Sequence, residues 1–144
     1  MQEPLFPTTI SRKLYNERSI LIGTFIGGPL AGGYLIAQNF KALNDPAKAV
    51  KTWIVTILVL LLTMATAFVP ALDKLPTFFY SFIFCMIAHF MAKKFQGSNI
   101  QLHQVSGGQL YNTWRAVAAG VIFMLLMVAF ILVISYLQDP SVFK

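Results

Sequence analysis

The chain has 144 residues, of which 57% are hydrophobic and only 11% are charged, and its net charge is +6. A soluble domain carries roughly a quarter charged residues, so this chain has too little charge to cover a water-facing surface and is expected to lie in a lipid bilayer. Its basic residues flank apolar runs, as in membrane proteins. Nucleic-acid binding is rejected, because no polar stretch carries a basic stripe interleaved with aromatic residues.

Four apolar runs organise the chain between a polar, basic N-terminal tail (residues 1–18) and a short C-terminal tail (residues 139–144). Because about 20 residues of helix cross the hydrocarbon core, and lipid offers backbone groups no partner, each run is expected to be an α-helix. The predicted fold class is an all-α integral membrane protein. Its single membrane domain, residues 19–138, has four embedded segments, at about residues 19–40, 46–70, 76–96 and 113–138.

The first segment is rich in glycine and carries a central proline. Two pairs of small residues four positions apart, Gly23 with Gly27 and Gly28 with Gly32, are predicted to pack closely against other helices. Pro29 lacks a backbone donor and clashes with the preceding turn, which favours a break in the helix. Two interpretations stay open: a kinked helix that crosses the membrane, or a re-entrant element that returns to the side from which it entered.

The distribution of basic residues bears on this choice. If all four segments cross, the two sides carry six and five Lys or Arg residues; if the first does not cross, they carry nine and two. The positive-inside rule favours the second count, whereas an uncharged run of this length usually crosses. Both interpretations place loops 41–51 and 93–115 in the cytoplasm. No cleaved signal peptide is expected, because the first apolar run is too long for one.

Helix boundaries are indicated by proline, glycine and capping residues. Asp45 followed by Pro46 is typical of an N-cap and the first helical position, so the second helix is expected to begin there. The other boundary signals are Pro70 and Gly97 as helix ends, Pro76 as a start, and Asn112 or Thr113 as a cap.

Four threonines of the second segment recur at helical spacing and are predicted to share one face: Thr52, Thr56, Thr63 and Thr66. The favoured interpretation is a packing face whose hydroxyls bond to backbone carbonyls. The alternative is a polar path for a solute. Since no Asp, Glu, Lys or Arg lies deep in any run, a proton-coupled pump is not expected.

Three residues are weak candidates for chemistry. Cys85 and His89 are four positions apart and would share a helical face, which is the best case for a nucleophile and base, but no carboxylate or oxyanion motif accompanies them. His103, the second of two histidines, is expected outside the hydrocarbon core, so a haem with two histidine ligands is not expected. We predict no catalytic residue, no cofactor and no metal site.

The stretch Thr24-Phe-Ile-Gly-Gly-Pro-Leu-Ala-Gly-Gly-Tyr-Leu35, followed by Asn39-Phe40, resembles the start of small uncharacterised bacterial inner-membrane proteins, which carry a Gly-Gly-Pro-Leu-Ala stretch after a short basic tail. The later pattern is also similar to theirs: Gln96-Gly97, His103, Gly107-Gly108 and Trp114-Arg115. The resemblance covers most of the chain. It implies a bacterial inner membrane and no known activity.

Small size, the glycine packing face and the lack of catalytic groups favour a non-enzymatic accessory or assembly subunit of a larger membrane complex, or a homo-oligomer. The alternative is a small permeation or transport protein in which the broken Gly-Pro segment lines a path. The expected partners are the lipid bilayer and another membrane protein or further copies of this chain, and no nucleic acid.

Overall fold

The computed structural model of the protein describes residues 12–66, 69, 74 and 76–138. Each described helix is long and apolar enough to cross a membrane. The predicted all-α membrane fold with four embedded segments is therefore confirmed. The helices are α1 (Glu17–Ala42), α2 (Pro46–Thr66), α3 (Thr77–Val105) and α4 (Thr113–Gln138).

Helix α1 reverses direction at Gly28 and forms a hairpin. Gly28 has φ 67° and ψ −159°, a backbone conformation essentially restricted to glycine. Contacts that a straight helix forbids show the reversal: a Cβ built on Gly32 would lie 2.6 Å from the Thr24 hydroxyl oxygen, although eight residues of helix span about 12 Å. We call residues 17–27 the first arm and residues 29–42 the second arm.

Both ends of the hairpin lie at the same end of the bundle. The backbone N–H of Tyr15 donates to Asn39 Oδ1 at 2.7 Å, and Asn39 Nδ2 donates to the Tyr15 carbonyl at 2.8 Å. We call this place the hairpin mouth and the Gly28 turn the hairpin tip. The first arm is about 16 Å long, which is roughly half of the hydrocarbon thickness. Although α1 is long enough to cross, its two ends lie at the same end of the bundle, which is the geometry of a re-entrant element.

Helix α1 is the centre of the fold, and α2, α3 and α4 each pack on it. The first arm lies along α4, where backbones meet closely: a Cβ built on Gly27 would lie 2.5 Å from the Gly120 carbonyl oxygen. The second arm lies along α2, where Gly33 faces the side chain of Thr56. Helix α3 contacts both arms. Gly27 and Gly33 of α1 therefore serve packing within this chain.

The reversal gathers basic residues at the end of the bundle that carries the hairpin mouth, which we call the basic end. Lys74 follows α2 at the opposite end, and Lys144 lies outside the described residues. This asymmetry is the one that the positive-inside rule describes for the two sides of a membrane. Nine of the eleven Lys and Arg residues belong to the segments at the basic end: Arg12, Lys13, Arg18, Lys41, Lys48, Lys51, Lys93, Lys94 and Arg115.

Helix α2 begins where the sequence predicts. The backbone N–H of Lys48 donates to Asp45 Oδ1 at 3.0 Å, so Asp45 caps a helix whose first residue is Pro46. Its described residues run to Thr66, and Val69 lies outside the helix, so the helix stops short of the predicted residue 70. Pro70 lies outside the described residues.

Helix α3 differs from its prediction. It continues through Gly97 to Val105 instead of ending near residue 96. The reason is a tertiary contact: a Cβ built on Gly97 would lie 3.1 Å from Glu17 Oε1, so this glycine makes room for a neighbour rather than ending a helix. Asn112 precedes α4 and caps it by accepting a backbone hydrogen bond of 3.2 Å.

The end of the predicted N-terminal tail is part of the folded domain. Leu14 is fully buried. Its N–H donates to the Gln109 carbonyl at 3.3 Å, and its carbonyl accepts from Tyr111 N–H at 2.8 Å. Residues 12–16 thus fasten the first arm to the α3–α4 loop. The remainder of that tail, residues 1–11, and the C-terminal tail, 139–144, lie outside the described residues.

Candidate functional site

A buried polar network joins the hairpin mouth to α3. Asn39 is 1% exposed; besides its two bonds to Tyr15, its Nδ2 donates to Gln96 Oε1 at 3.1 Å. Gln96 is fully buried on α3 and donates from Nε2 to the Ile36 carbonyl at 2.8 Å. Both side-chain amides are therefore paired through donor and acceptor, which makes a buried polar network stabilising. The network holds the two arms and α3 in one arrangement.

The predicted packing glycines divide into two roles. Gly28 has no atom within 4 Å of the position its Cβ would take, so its role is conformational: it adopts the positive φ of the tip. Pro29 follows as the first residue of the second arm, where a helix needs no N–H donor. The other three lie at close approaches, Gly23 and Gly27 against α4 and Gly32 against the first arm.

The threonine hydroxyls of α2 are bonded within their own helix. Each donates to a backbone carbonyl three or four residues earlier, at 2.6–2.8 Å. Thr52 and Thr56 are buried beside the second arm, whereas Thr63 and Thr66 are only half-buried. The cavity at the first pair has a volume of about 30 Å³, which is enough for a water molecule but not for a continuous path.

The three weak candidates lie in separate environments. Cys85 Sγ is 3.9 Å from the Leu21 carbonyl oxygen of the first arm. His89 has a buried Nδ1 without a hydrogen-bond partner, and no hydrogen bond joins it to Cys85. His103 is buried, and its Nε2 is 3.0 Å from the Gln109 carbonyl oxygen. That histidine shapes the α3–α4 loop, and Cys85 contributes a contact between helices.

A pocket of about 460 Å³ opens at the hairpin mouth, and we call it the basic pocket. Of the described residues that line it, four are cationic and none is acidic. Three separate stretches of chain form it: the approach to the first arm, the end of the second arm and the start of α4. Its lining residues are Arg12, Lys13, Tyr15, Tyr34, Gln38, Lys41, Ala42, Tyr111 and Arg115.

Two tyrosines position Arg115 in the basic pocket. The guanidinium carbon of Arg115 lies 4.5 Å from the centre of the Tyr111 ring, a cation–π contact, and the rings of Tyr15 and Tyr111 are 4.6 Å apart. Burial, together with Tyr34, raises the pKa of Tyr15 above its usual 10.0, while the nearby positive charge of Arg115 opposes that rise. The Tyr15 hydroxyl is therefore protonated at neutral pH.

In the sequence, the cations of the basic pocket indicate only the cytoplasmic side. Arg12, Lys41 and Arg115 are far apart in the sequence, and no local motif joins them. They converge because the second arm returns beside the first. The one signal that pointed to this was the count of basic residues, which favoured a first segment that does not cross.

Compared with known protein families, curated proteins and solved structures, the chain matches none. The resemblance to small bacterial inner-membrane proteins therefore stays a prediction. Within the part of the chain that the structure describes, no three His, Cys, Asp or Glu side chains are grouped so that they could hold a metal ion.

Proposed function

We propose that the protein is a non-enzymatic subunit of a larger membrane assembly, formed with further copies of itself or with another membrane protein. We place it in a bacterial inner membrane with its basic end in the cytoplasm, because cytoplasmic segments carry the excess of Lys and Arg. The observation that carries the proposal is the separation of α2, α3 and α4 beyond the hairpin tip.

The three crossing helices, α2, α3 and α4, are held together by α1. Each packs on α1, and in the described residues they scarcely touch one another. The hairpin ends at Gly28, so among the described residues no central helix packs on the parts of these helices beyond the tip. An apolar space of about 260 Å³ lies there, and its lining includes Phe25, Leu60, Phe84, Met127 and Ile131.

Such a space is filled in the membrane, because protein interiors are packed as densely as organic crystals. Lipid tails are as apolar as leucine, so hydrophobicity alone does not draw helices together in a bilayer; close packing does. A helix of a partner subunit would pack against three helices at once beneath the tip. This gain in van der Waals contact favours a protein occupant over mobile lipid chains.

The placement of the reactive side chains supports a role without catalysis. Cys85 and His89 are not hydrogen-bonded to each other, and the thiol faces a backbone carbonyl. The amides of Asn39 and Gln96 are engaged in fixing the hairpin. A nucleophile needs a base and an orienting group within hydrogen-bond reach, and these residues supply no such set.

The second candidate function is permeation, which the broken helix favours. Irregular backbone at membrane depth occurs where protein covers it or water lines it, and the Gly28 tip lies about halfway across. Against this candidate, the α2 hydroxyls bond within their own helix, and the cavity beside them is about 30 Å³. Solute flux into proteoliposomes that is lost in Gly28→Leu would favour permeation.

The mass of the particle extracted from cells tests the assembly. The tagged chain, taken from its own membrane in mild detergent, is expected in native mass spectrometry as a stoichiometric complex well above the 16.1 kDa of one chain. Met127→Trp fills the space beneath the tip and is expected to lower the fraction of the chain that is found in the complex. Leu126→Trp, at a position 57% exposed, is the matched control and should leave it intact. A single chain of 16.1 kDa as the only species would overturn the proposal.

A further inference from the structure

We propose that the basic pocket binds a phosphate-bearing anion that carries no compensating positive charge, such as the headgroup of an anionic phospholipid or a soluble phosphate ester. The inference does not depend on the assembly proposed above, because the pocket lies at the opposite end of the hairpin from the space beneath the tip. Four cations reach it from three segments of the chain: Arg12, Lys13, Lys41 and Arg115.

Among the residues that the structure describes, no carboxylate pairs with the cations of the pocket. The described residues include two acidic side chains, and both lie elsewhere. Asp45 Oδ2 forms an ion pair with Lys48 at 2.7 Å, and the Glu17 carboxylate lies beside Gly97 of α3. Gathering like charges around one pocket is unfavourable without a counter-ion. An anion in the pocket would offset this repulsion.

The pocket is built to orient a ligand, since its strongest phosphate-binding group is held in place. Arg115 is stacked on Tyr111, the Tyr111 ring lies 4.6 Å from the Tyr15 ring, and the Tyr15 backbone is held by Asn39. A positioned guanidinium can offer two parallel N–H groups to two phosphate oxygens, which is the geometry for which arginine is favoured. Lys41 is exposed and adds a mobile point charge.

The location and size of the pocket fit a headgroup-sized ligand. It lies at the basic end, and basic pockets between membrane helices on the cytoplasmic side are known to hold anionic headgroups. The Tyr34 ring, which lines the pocket, packs against Phe123 of α4 with ring centroids 5.5 Å apart. A volume of about 460 Å³ falls within the range of small-molecule sites and exceeds the need of a bare phosphate.

The test titrates two probes into the purified full-length protein in dodecyl maltoside and follows the thermal unfolding midpoint. One probe is dioleoyl phosphatidylglycerol, with the zwitterionic phosphatidylcholine as its lipid control. The other is glycerol 1-phosphate, which presents the same chemistry without a membrane anchor. Stabilisation by the first probe alone identifies a lipid headgroup, and stabilisation by glycerol 1-phosphate identifies a site open to soluble esters; either result supports the proposal.

Two variants and one control show whether binding occurs in this pocket. Lys41→Gln and Arg115→Gln are each expected to weaken binding roughly tenfold or more, since a charge-assisted hydrogen bond is lost. Lys41 is exposed, so its variant tests the pocket even if Arg115→Gln disturbs the fold. Lys93→Gln removes one charge at the same end but outside the pocket and should change binding by less than about twofold. The proposal is overturned if neither probe binds, or if Lys93→Gln weakens binding as much as Lys41→Gln does.

Discussion

Asn39 and Tyr15 are 24 positions apart in the chain, yet they exchange two hydrogen bonds, of 2.7 and 2.8 Å. In a continuous helix the same separation would span about 36 Å. The side-chain amide of Asn39 thus satisfies both the backbone N–H and the backbone carbonyl of Tyr15. The hairpin mouth, the link to Gln96 and the basic pocket all depend on this contact.

Removing the Asn39 amide is expected to destabilise the protein strongly. Asn39→Leu leaves the N–H and carbonyl of Tyr15 and one oxygen of Gln96 without partners in a buried site. Because a buried unpaired polar group costs about 1–3 kcal/mol, the free energy of unfolding in micelles should fall by at least about 2 kcal/mol. Thr63→Val is the control, since its hydroxyl bonds only within α2. If the free energy of unfolding fell by a similar amount in both variants, the stabilising role of the network would be contradicted.

The direction in which a substitution at Gly28 changes the stability of the protein distinguishes a hairpin from a straight helix. In a straight helix Gly28→Ala would stabilise by about 1 kcal/mol, because alanine is the better helix former. In the hairpin it should destabilise by roughly 1–3 kcal/mol, since alanine rarely adopts φ 67°. No atom lies within 4 Å of the new methyl group, so steric clash does not confuse the result. A higher unfolding midpoint for this variant would refute the reversal at Gly28.

A pair of substitutions tests the contact between the second arm and α2. Gly33→Ala places a methyl group against the Thr56 hydroxyl and methyl, and it should cost about 1–3 kcal/mol of stability through overpacking. Thr56→Ala removes both of those atoms. The double variant should therefore be more stable than the sum of the single losses predicts, with a coupling above about 0.5 kcal/mol in a double-mutant cycle. Strict additivity would mean that the two residues do not touch.

The elements themselves could be predicted from the sequence, and so could the break in α1. Apolar runs gave four helices, and Asp45 with Pro46 marked the start of α2. The Gly28-Pro29 pair predicted a break, and the distribution of Lys and Arg favoured a return to the same side. These signals are local or additive along the chain, which is why they can be read without a structure.

The remaining features depend on tertiary contacts. Gly97 has the local signature of a helix end, but its place beside Glu17 lets α3 continue. Gln96 shows no periodicity or motif that pairs it with Asn39. The basic pocket likewise has no sequence signature, since Arg12 and Arg115 meet only after the hairpin, α4 and the α3–α4 loop are in place. These contacts depend on the direction that the chain takes after the break. Gly28 and Pro29 determine where the break occurs but do not determine that direction.

Acid should affect the first turn of α2 in a predictable direction. The Lys48 side chain and backbone N–H both hydrogen-bond to Asp45 and lower the pKa of its carboxyl from the usual 3.8. A carboxylate with a lowered pKa contributes stability at higher pH, and that stability is lost as the pH falls through the folded-state value. Unfolding midpoints should thus include a loss below about pH 3.8 that is absent in Asp45→Asn, which keeps a capping oxygen. The same acid profile in both proteins would contradict this assignment.

The most direct test of the account is the sidedness of the two ends of α1. In a Cys85→Ser background, single cysteines at Lys13, Asn44 and Lys74 can be labelled with a membrane-impermeant maleimide in vesicles of both orientations. The re-entrant hairpin predicts that Lys13→Cys and Asn44→Cys react from one side of the membrane and Lys74→Cys from the other. If Lys13→Cys and Asn44→Cys react from opposite sides, α1 crosses the bilayer and the hairpin is contradicted.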